Sequence, residues 1–180
     1  MSDPRIRLRD KLCREIAQAE HDARIHTRRE AGRLGDTAPG RALLAVSEHA
    51  AEVEPVLAKL THQPVGLHVA RAVADLFSAA RHFFFDRLID SERSYRATLL
   101  GLKHGIDATR LLREVVTLTN DVELLKFCDL ILVERLCLIE DAEQAMTWFA
   151  ENSELALKSG GRRLTLPDPA AQAAIFAVKL

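Results

Sequence analysis

The chain has 180 residues, with 25 Lys and Arg against 26 Asp and Glu, 48% hydrophobic and 28% charged residues. A domain of that length buries about 70% of the surface its unfolded chain would expose, so folding needs neither a disulfide framework nor a structural metal. The balanced charge excludes a global field toward nucleic acid or membrane, and a background of Ala, Leu, Arg and Glu with only 8 Gly and 6 Pro excludes disorder.

Pro4 suits the first turn of a helix, and Leu8, Leu12, Ile16, Ala19 and Ala23 follow at three- and four-residue spacing, which predicts a helix over 4–34. The run Gly35-Asp36-Thr37-Ala38-Pro39-Gly40 ends it, with Gly35 placed as a C-terminal cap and Asp36 or Thr37 able to cap a second helix over 39–60. Pro64 marks a break at 61–66. A third helical stretch, 67–89, holds Phe83-Phe84-Phe85, a cluster suited to plugging the end of a core. Ser91 and Glu92 open a helix over 91–119, Asn120-Asp121 is a stop and restart, and a last long helix runs over 121–152. Ser159-Gly160-Gly161 is a flexible linker, and Pro167 and Pro169 keep the tail extended before an apolar end, Ala170 to Leu180. Two long hairpins joined by a helical link of about 30 residues form an all-α antiparallel four-helix bundle with a crossover connection. The bundle spans 1–158 and a docking tail 159–180.

Charge is uneven along the chain. Residues 1–41 carry ten Lys and Arg against seven Asp and Glu, whereas 120–154 carry only Lys126 and Arg135 against nine acids. The acidic last helix reads as a solvated face that answers basic surfaces elsewhere in the bundle or on a second subunit. Arg5, Arg7, Arg9, Lys11 and Arg14 are too interrupted by acids to favour nucleic acid. Cys13, Cys128 and Cys137 form no CxxC pair and leave an odd thiol, which fits a reducing compartment, the cytoplasm by default. The N-terminus lacks the apolar core of a secretory signal, and no window approaches 18 uninterrupted apolar residues.

Acids and histidines fall on or near apolar stripes. Glu48 and Glu52 share a face with Leu44, Val56 and Leu60. His104 and Asp107 lie in the stripe Leu100, Leu111, Leu118, and Glu134 sits within Phe127, Ile131 and Leu138, while Glu20 and His21 flank the face of the first helix. A carboxylate inside a bundle must be paired or bound to a cation, because its desolvation costs several kcal/mol. Carboxylates and an imidazole converging from four helices would bind iron, manganese or zinc. The other reading of the same residues is ion pairing, with Lys103 against Glu20 or Glu134. His49, His62, His68 and His82 occur singly, and no Ser-His-Asp arrangement, phosphate loop or dinucleotide fingerprint is present.

The segments Ala19-Glu20-His21, Ser47-Glu48-His49-Ala50-Ala51-Glu52, Leu102 to Ala108 and Leu132-Val133-Glu134-Arg135 resemble the ferritin-like superfamily, most of all its YciF-like stress-related branch, over about residues 10–150. The resemblance implies Glu20, Glu52, His104, Asp107 and Glu134 as metal ligands from the four helices, one each from the first, second and last and a pair from the third. Three departures point to a degenerate centre: Lys103 where the pattern has an acid, Pro55 where a ligand follows Glu52, and Cys137 in place of a histidine. The expectation is a self-associating, dimeric, stress-related or accessory protein with no assigned catalytic residue. Two further readings stay open, a functional metal-binding oxidase or storage protein, and an adaptor or cargo recognised through its C-terminal tail.

Overall fold

The computed structural model describes residues 3–61 and 90–159. The helix expected over 67–89 and the tail from 160 lie outside the described residues. Four long helices account for most of what is described: α1 (Pro4–Leu34), α2 (Ala38–Leu60), α3 (Ser91–Thr119) and α4 (Val122–Gln144), followed by two short ones, α5 (Thr147–Glu151) and α6 (Ser153–Ala156). Among the described residues no strand forms, only an isolated antiparallel bridge between Asp90 and Ser159. None of the described helices is long and apolar enough to cross a membrane.

The helix ends are set by local chemistry. Asp3 accepts the amide of Arg5 at 2.8 Å, Thr37 Oγ1 accepts that of Gly40 at 3.2 Å, and Asp121 Oδ1 that of Leu124 at 3.2 Å, each satisfying a donor that the first helical turn leaves unpaired. Gly35 (φ 66°) and Asn120 (φ 54°) turn the chain after α1 and α3 through positive φ, where glycine and asparagine are the tolerated residues. The last long helix is shorter than its sequence pattern. It stops at Gln144, whose carbonyl accepts from Thr147 Oγ1 at 3.0 Å, and a second side-chain bond, from Asn152 Nδ2 to the Trp148 carbonyl at 2.8 Å, sits at the turn between the two short helices. This bend lays Phe149 against Tyr95, ring centroids 5.3 Å apart, and closes one end of the bundle.

α1 packs along α2 and α3, and α4 packs along α3 and α2. Arg33 of α1 reaches Ser91 of α3 at one end and Arg9 reaches Asp121 at the other, so α1 is antiparallel to α3 and runs in the same direction as α4. Leu57 near the end of α2 packs with Leu12, Val116 and Leu124, whereas Ser91 meets the last turn of α1, so Thr61 and Asp90 lie at opposite ends of the bundle.

The core is split. One apolar cluster gathers Leu34, Leu43, Tyr95, Leu99, Ile139 and Phe149, and the other Leu12, Ile16, Leu57, Leu112, Phe127 and Ile131. Along α1 the division falls between Ile16 and Ala23, and along α4 between Ile131 and Ile139. Glu20 and Arg135 stand in that gap.

Candidate functional site

A charged layer separates the two apolar clusters. Arg135 is 3% exposed and Glu20 6% exposed, and Arg135 Nη2 donates to Glu20 Oε2 across the bundle. Each partner is held against its charge by burial. Desolvation pushes the Glu20 carboxyl above its ordinary value despite Arg135 and His49 nearby, and it draws the Arg135 guanidinium below its ordinary value despite Glu20. Arg135 Nε is buried with no hydrogen-bond partner among the described residues. Arg135 lines a small cavity of about 10 Å³ together with Ala19 and Ala23 of α1, Gly101 and Gly105 of α3, and Ile131 of α4.

A second link joins α2 to the same turn of α4. His49 Nε2 lies 3.0 Å from Glu134 Oε2, while His49 Nδ1 is buried without a partner among the described residues. Outside this layer α1 and α2 are tied by Glu54, which accepts from Arg24 Nε at 2.8 Å and lies 3.1 Å from His21 Nδ1. Ser47 Oγ donates to the Arg24 carbonyl at 2.8 Å.

The five residues expected to hold a metal are not brought together. Glu20 is buried and engaged by Arg135, and Glu134 is exposed and engaged by His49. Glu52 is exposed on α2, His104 is exposed on α3 and lies 3.2 Å from Glu15, and Asp107 is exposed and bound to Arg110 at 3.1 Å. The reason is helical phase. The buried face of α3 carries Leu99, Leu102, Ile106, Thr109 and Leu112, so the stripe of Leu100, His104, Asp107, Leu111 and Leu118 points outward. The face of Leu44, Glu48, Glu52 and Val56 on α2 is likewise outward, the buried positions being Leu43, Val46, Ser47, Ala50, Val53 and Leu57. Lys103 pairs with Glu143 on the surface rather than with Glu20 or Glu134.

Arg135 is therefore the interior cation, one residue away from the acid that the pattern drew attention to. The signal for it was in the sequence: Leu124, Cys128, Ile131, Arg135, Leu138 and Ala142 keep three- and four-residue spacing, and the arginine occupies an interior position of that series. Among the described residues no group of three or more His, Cys, Asp or Glu is placed to hold a metal ion. Comparison with protein-family models, curated proteins and solved structures finds no match for this chain.

Proposed function

We propose that this chain is a ferritin-like bundle with a degenerate metal centre, in which a tethered guanidinium stands where such bundles carry a cation, and that it acts through its surface as a self-associating, stress-related or accessory protein. The observation behind this reading is the buried Glu20–Arg135 pair. A carboxylate facing a bundle interior must be neutralised, and here the nearest cation is covalently part of α4. A divalent ion at Glu20 would have to displace a guanidinium already seated on its carboxylate. The remaining candidate ligands, Glu52, His104 and Asp107, are turned to the outside, so the side chains present do not fit the expected centre and no metal-dependent step is derived from them.

The test is elemental analysis of the full chain purified without chelators, combined with its native mass. The reading expects an oligomer, with iron, manganese and zinc all well below one per chain. One equivalent of metal per chain, lost on Glu20→Ala or Glu134→Ala, overturns it in favour of a metal-binding oxidase or storage protein. An adaptor role for the tail is tested by removing residues 160–180, and recovery of the same assembly and partners by the shortened chain rejects that role.

A further inference from the structure

We infer that a second copy of this chain docks on the outward face of α3, packed antiparallel about a two-fold axis level with Thr109. This deepens the self-association proposed above by naming its surface. Leu100, His104, Asp107, Leu111, Glu114 and Leu118 follow one another at spacings of four, three, four, three and four residues, the seam of a two-helix coil. The three leucines on it are 71%, 49% and 62% exposed, although scattered single leucines, not an aligned row, are the ordinary condition of a surface.

Charge selects the second copy and its direction. About a midpoint at residue 109, position 100 meets 118, 104 meets 114, and 107 meets 111 of the partner. Leucine then faces leucine at both ends, His104 with its neighbour Lys103 faces the partner's Glu114, and Asp107 comes within one residue of the partner's Arg110. Parallel packing would instead set Asp107 on Asp107 and Glu114 on Glu114, like charge on like at both acidic positions. The flank of the seam agrees. Lys103–Glu143 and Arg113–Asp129 tie α3 to α4 on either side of this midpoint, so Leu136, halfway between Asp129 and Glu143, lies level with residue 108. Leu136 is 41% exposed and would meet its own copy near the axis.

The experiment is sedimentation velocity on the full-length protein and its variants, with helicity and melting temperature as controls on folding. The wild type is expected to be a dimer, and Leu111→Glu to weaken it by about tenfold or more, because each substitution acts twice across the axis. His104→Glu and Glu114→Lys should each weaken the homodimer, by placing acid on acid and base on base. Mixed together they should recover a heterodimer of near wild-type affinity, since both crossed contacts then join opposite charges. A mixture that stays monomeric, or a dimer indifferent to Leu111→Glu, overturns the α3 seam while leaving self-association standing. A monomeric wild type overturns self-association as well, and neither result touches the reading of the Glu20–Arg135 layer, which rests on metal content.

Discussion

Arg135 holds its charge in a place that works against charge. Burial moves both Glu20 and Arg135 toward their neutral forms, and the attraction of each for the other opposes that shift without cancelling it. Arg135→Ala leaves Glu20 buried and uncompensated, and is expected to cost about 3–5 kcal/mol of stability in urea unfolding. The pH dependence has a defined sign. Because the folded-state pKa of Glu20 is raised, the folded chain binds its proton more tightly than the unfolded chain does. The contribution of Glu20 is therefore greatest below its unfolded pKa and falls as pH rises through the folded value. Urea midpoints measured from the ordinary carboxylate range up to neutrality should thus decline less steeply in Glu20→Gln than in wild type, and an unchanged slope would show that Glu20 does not titrate in this way.

The cysteines divide by the same physics. Cys13 and Cys128 are buried, and desolvation raises their thiols to about 11 and about 12, whereas Cys137 is exposed. A disulfide-exchange reagent at neutral pH should titrate Cys137 alone in the native protein and all three thiols after unfolding. Fast release of a second native equivalent would contradict this packing.

At the scale of the helices, most boundaries were legible, the end of α4 excepted, and helical phase was legible on α1 and α4, where Leu12, Ile16, Ala23, Phe127 and Ile131 are buried, but not on α2 and α3. The ends of α1, α2 and α3 are marked by Gly35, Thr37, Ser91 and Asn120, residues with strong local preferences, and the structure places those ends within one residue of where the sequence does. Phase is harder because the buried faces here are built partly from small and hydroxylated residues. Ser47 and Ala50 on α2, and Ala108 and Thr109 on α3, are all buried, while Leu100, Leu111, Leu118 and Val56 are exposed. Small and hydroxylated residues interrupt the packed face, so the row of outward leucines competes with it as a candidate buried stripe. Acids and histidines between exposed leucines then look like interior ligands.

The glycines test this account of close approach. A methyl at Gly40 would run into the carbonyl oxygen of Gly35 in the α1–α2 turn, whereas one at Gly101 meets nothing within 4 Å. Gly40→Ala is expected to destabilise by about 1–3 kcal/mol through overpacking against backbone. Gly101→Ala, in the middle of α3, should stabilise by about 1 kcal/mol through helix propensity. Thermal melts of the two variants should move in opposite directions.

For the whole molecule, the charged layer decides how the bundle is divided. The apolar clusters on either side of Glu20 and Arg135 are each well filled, with Leu34, Leu43 and Tyr95 fully buried in one and Ile16, Leu57 and Leu112 fully buried in the other. The pair joins α1 to α4, two helices that run in the same direction across the diagonal, while His49–Glu134 joins α2 to α4 beside it. A polar layer of this kind fixes the relative height of the helices, since sliding one by a turn would leave both charges unpaired in an apolar core. The double replacement Glu20→Leu with Arg135→Met removes that constraint and lets the two clusters fuse. It is expected to be at least as stable as wild type and up to about 4 kcal/mol more so, in contrast to the loss in Arg135→Ala alone. Register is the property that should suffer. Disulfide trapping between cysteines introduced on the facing sides of α1 and α3 should give one register in wild type and more than one in the double variant. A double variant that is both more stable and confined to a single register would show that the apolar packing positions the helices unaided, and that the layer serves something other than alignment.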